Sequence, residues 1–321
     1  MKKLLLPLVL LSCGRDENVI EQSTMNEPVA VHAKNPDGIY IVVLGTVQDG
    51  GSPHLGCSKT CCKKLFEHPD PLRKVVSLAV VDSKQHKSWL IEATPDLPEQ
   101  VANLNRYAGG DFPESIFLTH AHIGHYTGLM YLGKEAKNTK QQKVYAMPRM
   151  KEFLEKNGPW SQLVTDSNIL IKNINVQESY SVSADLQLSP FPVQHRDEFS
   201  ETVGYTIKGP HKTAVFIPDI DKWSTWHKDI KEVVTQVDFV LIDGTFFDGS
   251  ELPGRDMKKI PHPLVVESME LFKDLPAADK KKIYFIHLNH TNPLLNPESP
   301  ETKKVQEKGF NIARMNMVLE L

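Results

Sequence analysis

The chain has little cysteine: four residues in 321, too few to staple a domain of this size as a disulfide scaffold. It also has no surplus of positive charge, with 37 basic against 40 acidic side chains. That balance provides no broad footprint for a phosphate backbone, so nucleic acid is not an expected partner. Beyond the N-terminus there is no long apolar run, which excludes a bundle of membrane-spanning helices. Fixed-period repeats and low-complexity tracts are missing too, which excludes solenoids and wholesale disorder. What remains is a globular chain with 40% hydrophobic residues, enough for a substantial core.

Against these absences, histidine is plentiful at 13 residues, and Cys57, Cys61 and Cys62 crowd into one short stretch. Clustered thiols in a chain without a disulfide framework ask first for a metal.

Met1-Lys2-Lys3 is a cationic head, and Leu4 to Leu11 is an apolar run broken by Pro7 and too short to span a bilayer. This reads as a signal peptide. The run ends in Leu11-Ser12-Cys13, which resembles a bacterial lipobox, whose cysteine carries the lipid. The resemblance implies an exported, membrane-anchored lipoprotein, periplasmic or on the outer face, held to the lipid bilayer through an acylated Cys13. Residues 1–13 are then the signal segment, polar residues 14–37 a flexible tether, and residues 38–321 the working domain. A buried N-terminal helix is the alternative, and the polar Gly14-Arg15-Asp16-Glu17-Asn18 that follows fits it poorly.

From Gly38 onward, strand-length apolar runs recur between turn residues. They are Ile39–Gly45, Val76–Asp82, Ser88–Ala93, Ser115–Thr119 and Lys143–Met147, then Ile169–Ile174, Leu186–Val193, Val203–Lys208, Thr213–Pro218, Phe239–Asp243, Ile283–Leu288 and Met315–Leu321. Helical patterns fall at Pro98–Ala108, Gly128–Ala136, Arg149–Asn157, Asp221–Thr235, Pro263–Lys273 and Pro300–Lys308. Gly158–Asp166 and Lys222–Trp226 read as loops. The pattern predicts an α/β domain with mixed sheets, not a regular βαβα alternation.

The run Ser115–Thr119 leads directly into His120-Ala121-His122-Ile123-Gly124-His125. A buried strand fixes the entry of this loop, and three imidazoles spaced i, i+2 and i+5 can converge on neighbouring points. Imidazole suits zinc and also iron. A run of surface histidines is a poor alternative beside a buried strand end.

Here the chain resembles the metallo-β-lactamase superfamily, whose signature is His-x-His-x-Asp-His after a strand ending in Thr. The resemblance implies an αββα sandwich of two mixed sheets flanked by helices, and a metal-dependent hydrolase acting on a small-molecule substrate. It also implies ligand sets. His195, after the run Leu186–Val193, matches the third ligand of a first site with His120 and His122. Asp219, ending Thr213–Asp219, matches the bridging carboxylate that holds and orients the attacking water, and His287, ending Ile283–His287, matches the last ligand. The second site is then His125, Asp219 and His287. Read alone, His195 is equally a satisfied loop histidine and Asp219 a helix cap. Gly124 departs from the signature, standing where the superfamily has an aspartate that binds the second metal. This departure predicts a second site one ligand short, with weaker occupancy or a different metal preference.

The segment Gly50–Cys62 resembles, within the superfamily, the branch containing PqqB of pyrroloquinoline quinone biosynthesis and the phosphodiesterase PhnP. That branch carries a cysteine-rich structural zinc site after its first strand, with a Cys-x-Cys-x-x-Cys pattern where this chain has Cys-x-x-x-Cys-Cys. His290, three residues after His287, matches its closing histidine, so the implied structural set is Cys57, Cys61, Cys62 and His290. His54 and His262 are alternative ligands, and a disulfide between Cys61 and Cys62 or Cys57 and Cys61 is the competing reading. Val240-Leu-Ile-Asp243-Gly244-Thr245, Gly254-Arg255-Asp256-Met257, Asn289-His290-Thr291-Asn292-Pro293 and Ala93-Thr94-Pro95-Asp96 extend the PqqB-like resemblance across most of residues 40–297. PqqB-type chains usually lack the first two histidines of the loop, which this chain keeps as His120 and His122. The resemblance therefore implies one structural zinc and one or two active-site ions, zinc first, with iron or manganese as alternatives. Three readings follow: a hydrolase using activated water on a small ester, phosphodiester or amide; an iron-dependent oxygenase in pyrroloquinoline quinone-type biosynthesis; and a non-catalytic lipid-anchored binding protein. Asp96, Asp243 and Asp256 are each either partners that orient ligating histidines or turn and cap residues.

Overall fold

The computed structural model describes residues 35–321, leaving out Asp111, Met257 and Lys258. The N-terminal apolar run, Cys13 and most of the expected tether lie outside the described residues, as does Met257 of the Gly-Arg-Asp-Met block.

Six strands come first: β1 (Ile39–Gly45), β2 (Ser77–Asp82), β3 (Lys87–Ile91), β4 (Ser115–Phe117), β5 (Gln142–Ala146) and β6 (Ile169–Asn173). Seven follow: β7 (Tyr180–Ser183), β8 (Leu186–Pro192), β9 (Val203–Lys208), β10 (Thr213–Ile217), β11 (Phe239–Asp243), β12 (Ile283–Ile286) and β13 (Asn311–Ile312). The last strand, β14 (Val318–Glu320), returns to the first group. The sheets run β14-β1-β2-β3-β4-β5-β6 and β13-β12-β11-β10-β9-β8-β7. Both mix directions: β1 to β3 pair antiparallel and β3 to β6 parallel, while β7 to β10 pair antiparallel and β10 to β13 parallel.

Period-two burial explains the layering. Ala214 and Phe216 on β10, Leu241 on β11 and Ile286 on β12 join Leu188, Tyr205 and the strands of the first sheet in one core. Val215, Ile217, Val240, Ile242, Ile283 and Phe285 point the other way, against Ile230, Val234, Val265, Met269 and Val305 of the helices Ile230–Gln236, Val265–Leu271 and Pro300–Glu307. On the opposite flank the helix Leu97–Ala108 buries Leu97, Leu104 and Ala108. Each fully buried Val, Leu or Ile in these layers contributes about 1.5–3 kcal/mol relative to exposure. The architecture is an α/β sandwich of two mixed sheets flanked by helices.

Several boundaries differ from the sequence reading. The stretch 128–136 is a 3-10 helix, Thr127–Leu132, preceded by the short helix Ile123–Tyr126 that carries His125. Asp221–Thr235 is broken into a 3-10 turn, Trp223–Thr225, and a helix beginning at Ile230, whose start is set by the Asp229 side chain accepting from Lys231 N. The expected loop 158–166 contains a helix, Trp160–Thr165, entered through Pro159. Thr60–Glu67, which carries Cys61 and Cys62, is helical as well.

The histidine loop is tied to both sheets by backbone bonds. Val203 N donates to Thr119 O at 3.2 Å, Ala93 N to His125 O at 2.9 Å, and Gly128 N to Ala93 O at 2.9 Å. A Cβ on Gly128 would meet Thr94 O at 2.0 Å, so only glycine allows this approach. Gly128→Ala should therefore lose about 1–3 kcal/mol of stability through overpacking, read as a lower urea midpoint, with an unchanged midpoint counting against the close approach.

Candidate metal centre

The site lies where strand ends meet. β4 is followed by Leu118, Thr119 and His120; β8 by His195; β10 by Asp219; and β12 by His287. His120, His125, Asp219 and His287 are each at most 1% exposed. Ligand atoms of His120, His122, His195 and Asp219 come within 4.8 Å of one another, and so do those of Asp49, His125, Asp219 and His287. Asp219 is common to both groups.

The inner ring nitrogens converge on Asp219. Its Oδ2 lies 3.0 Å from His125 Nε2, 3.2 Å from His287 Nε2 and 3.5 Å from His120 Nε2, while Oδ1 is 3.7 Å from His195 Nε2. His120 Nε2 and His122 Nδ1 face each other at 2.9 Å. The outer nitrogens face oxygen. His120 Nδ1 meets Thr119 Oγ1 at 2.8 Å, His195 Nδ1 meets Asp221 Oδ1 at 3.1 Å, and His125 Nδ1 lies 3.3 Å from Glu92 Oε1. His287 Nδ1 meets Thr245 Oγ1 at 2.8 Å, and that hydroxyl donates to Asp243 Oδ1 at 2.7 Å, so the ring proton sits on Nδ1 and the Nε2 lone pair faces inward.

Electrostatics follow from this crowding. Burial disfavours the charged form of Asp219, but the imidazoles of His287 and His195 outweigh it and hold the carboxyl well below its ordinary range. Burial, reinforced by His125, pushes His120 well down. His125 goes up, because the carboxylates of Asp49 and Glu92 overcome its burial. Asp219 Oδ2 nevertheless has no hydrogen-bond partner although it is buried. A buried carboxylate oxygen ringed by imidazole nitrogens fits the donor set of a divalent cation, and it is left unsatisfied without one.

Two residues reach the site through left-handed backbone. Glu92 (φ 78) directly follows β3 and His287 (φ 62) directly follows β12. Such conformations cost about 1–3 kcal/mol each and persist where surrounding structure imposes them.

Ligand atoms of Cys57, Cys61, Cys62 and His290 also come within 4.8 Å of one another, and the three cysteines are free thiols. Burial and the neighbouring thiols push Cys61 up to about 12, so several thiolates cannot coexist there without a cation. Burial, with His54 and Lys59 nearby, lowers His290 to about 4, which keeps it a neutral, ligand-ready imidazole. His54 packs against His290 with ring centroids 4.4 Å apart and the rings tilted by 31°, and its Nδ1 meets Leu55 O. His262 lies elsewhere, 2.8 Å from Asp243 Oδ2 and 3.4 Å from Asp219 Oδ1. Asp243 thus stands behind His287 and His262, whereas Asp96 accepts from Val75 N at 2.7 Å and anchors a turn. Asp256 is exposed.

The sequence reading omitted two residues now seen around the centre, Asp49 and Glu92, and assigned a third, His262, to the cysteine site as an alternative ligand, whereas it lies beside Asp219 and Asp243. Asp49 follows β1 and sits in Gln48-Asp49-Gly50-Gly51, an acidic side chain followed by two glycines, which was the available signal. Its Oδ1 lies 2.8 Å from His125 Nε2 and 3.1 Å from His287 Nε2.

A family model described as the beta-lactamase superfamily domain matches residues 88–288, more than half of the chain. The chain belongs to the beta-lactamase superfamily. It is PqqB-like within it. Coenzyme PQQ synthesis protein B of Klebsiella pneumoniae is 28% identical over 312 residues, covering 88% of this chain and 98% of the relative. The protein of the same name from Acinetobacter baylyi is 25% identical, with 88% and 100% covered. Among solved structures, Zn(2+)-bound PqqB from Methylobacterium extorquens superposes with a TM-score of 0.72 at 21% identity, covering 88% of this chain and all of the other. A diphosphatase of the PhnP family gives a TM-score of 0.61 at 21% identity, with 88% and 97% covered. These structural likenesses establish the shared fold.

Free thiols predict a specific count. A denatured Cys13→Ser variant should titrate three thiols both with and without reductant, whereas two additional thiols on reduction would establish a disulfide.

Proposed function

We propose that the chain is a metal-dependent hydrolase acting on a small ester, phosphodiester or amide. The observation that carries this reading is the convergence of buried inward-facing imidazoles on Asp219, each backed by an oxygen on its outer side. His120, His122 and His195 hold a first ion; His125 and His287 lie at a second position; Asp219 stands between the two. Zinc is the first choice, as in the zinc-bound PqqB structure, and the imidazole and carboxylate donors also accept iron or manganese. A bound divalent ion supplies Lewis acidity and lowers the pKa of water from 15.7 towards about 7. The chain's own part is positional. Asp219, ionised at neutral pH, accepts a hydrogen bond from the attacking water and orients it, while Thr119, Asp221 and the Thr245–Asp243 pair keep the rings from turning. The cysteine and His290 set holds a structural zinc and shapes the loop after β1.

A second reading, an iron-dependent oxygenase in pyrroloquinoline quinone-type biosynthesis, draws on the curated relatives' names and on a donor set that contains no sulfur at the Asp219 centre. Cys13 acylation would place either chemistry at a membrane surface, and loss of labelled fatty-acid incorporation in Cys13→Ser tests that anchor.

The deciding experiment combines metal quantitation of protein purified without added metal with an ester, lactam and phosphodiester panel and an oxygen electrode. We expect zinc and hydrolysis. His122→Ala should remove turnover by more than the roughly 10–100-fold typical of losing an outer partner, with the fold retained by circular dichroism. Iron together with oxygen uptake would favour the oxygenase, and a metal-loaded protein inert to the whole panel would favour a non-catalytic binding role.

A further inference from the structure

Gly124 removes the carboxylate that the superfamily places in its histidine loop, yet the space beside it is filled. A Cβ built on Gly124 would meet Asp49 Cα at 2.6 Å, Oδ1 at 2.7 Å and Cβ at 2.9 Å. No side chain at position 124 fits while the backbone of Asp49 runs there. The atom nearest that missing side chain, after the backbone, is itself a carboxylate oxygen.

The approach of Asp49 is built into the fold. Gln48 N donates to Leu288 O at 2.9 Å and Leu288 N to Thr46 O at 2.7 Å, so the residue after His287 clamps the segment that presents Asp49. Val47 bridges Val75 and Leu288, and Gly51 N donates back to Gln48 O at 2.9 Å. On Gly50, a Cβ would meet His54 Cδ2 at 2.5 Å, so the turn is close-packed on its far side as well. The Asp49 side chain is 11% exposed, and its Oδ1 contacts the Nε2 atoms of His125 and His287, the same inward nitrogens that face Asp219.

We propose that Asp49 is the terminal carboxylate ligand of the second metal position, completing a set with His125, His287 and Asp219, and that residue 124 is glycine because Asp49 occupies its side-chain space. The assignment rests on the metal-centre reading above. It changes one expectation of the sequence: the second position is not a ligand short, because the carboxylate arrives from the loop after β1 instead of from the histidine helix.

The competing role for Asp49 is that of an ion-pair partner to His125 with no metal contact. Cobalt(II) titration of the full chain, stripped of metal with chelator, separates the two. Bound cobalt is counted by plasma mass spectrometry after equilibrium dialysis for wild type, Asp49→Asn, His122→Ala, Gly124→Ala and Ile123→Ala. Asparagine keeps the shape and one acceptor oxygen while losing the charge. Asp49→Asn should bind one ion fewer than wild type, or bind that ion more weakly by more than the roughly 10–100-fold typical of losing an outer partner, with the remaining ions unchanged. Gly124→Ala, which adds no charge but displaces the Asp49 segment, should lose the same ion. Ile123→Ala, at a 60% exposed neighbour, should keep it. Unchanged stoichiometry in Asp49→Asn, with affinity unchanged or lowered only within that range, overturns the assignment. If wild type holds a single ion at the histidine centre, lost in His122→Ala and kept in Asp49→Asn, the Asp49 assignment fails while the hydrolase reading stands. If wild type holds none there, both fail.

Discussion

A carboxylate taken out of water costs several kcal/mol unless opposite charge or hydrogen bonds surround it. Asp219 is such a group: 1% exposed, at the end of a central strand, with five imidazole nitrogens within 3.7 Å of its oxygens. The other parts of the centre answer to that constraint. The histidines and Asp219 come from four separate places in the chain, and they meet because the two sheets bring the ends of β4, β8, β10 and β12 to one edge of the sandwich. The hydrophobic layers on either side of the second sheet set where those ends stop, so the position of the charge is decided by apolar packing.

Outer contacts turn convergence into a defined protonation pattern. An imidazole whose Nδ1 proton is given to an outer oxygen has only its Nε2 lone pair to offer inward. His287 illustrates this through Thr245 and Asp243, and His195 through Asp221. Glu92 is the unusual member, fully buried, in left-handed backbone, with both carboxylate oxygens lacking hydrogen-bond partners. Burial raises its pKa, and the neighbouring His125 offsets part of that rise.

The legible part of the molecule was the part with local signals. Strand runs ending in His, Asp and His were visible because apolar residues and a functional side chain are adjacent in the chain, and strands such as Val203–Lys208 and Phe239–Asp243 have the bounds their composition suggests. Tyr180–Ser183 and Asn311–Ile312 are edge strands, one largely polar and the other two residues long, and carry no periodic pattern to read. Trp160–Thr165 was hidden because Gly158-Pro159 reads as a turn, although the proline also opens a helix. Asp49 and Glu92 escaped, and His262 was assigned to the wrong site, for a different reason: only the packing of sheets and loops reveals which groups they meet. The cysteine set was legible because its thiols are neighbours in sequence, even though its histidine is more than two hundred residues away.

The close approach of residues 49 and 124 also bears on how chains of this superfamily are compared. An alignment scores each column independently, so a glycine in the histidine loop registers as a lost function. Here the two columns describe one physical volume, filled from one direction or the other. A substitution that restored the missing aspartate would collide with the loop that already fills its place. Each residue limits what the other position can hold. Sorting such sequences by the presence of one motif letter would separate proteins with equivalent carboxylates, whereas sorting them by occupied space would bring them together.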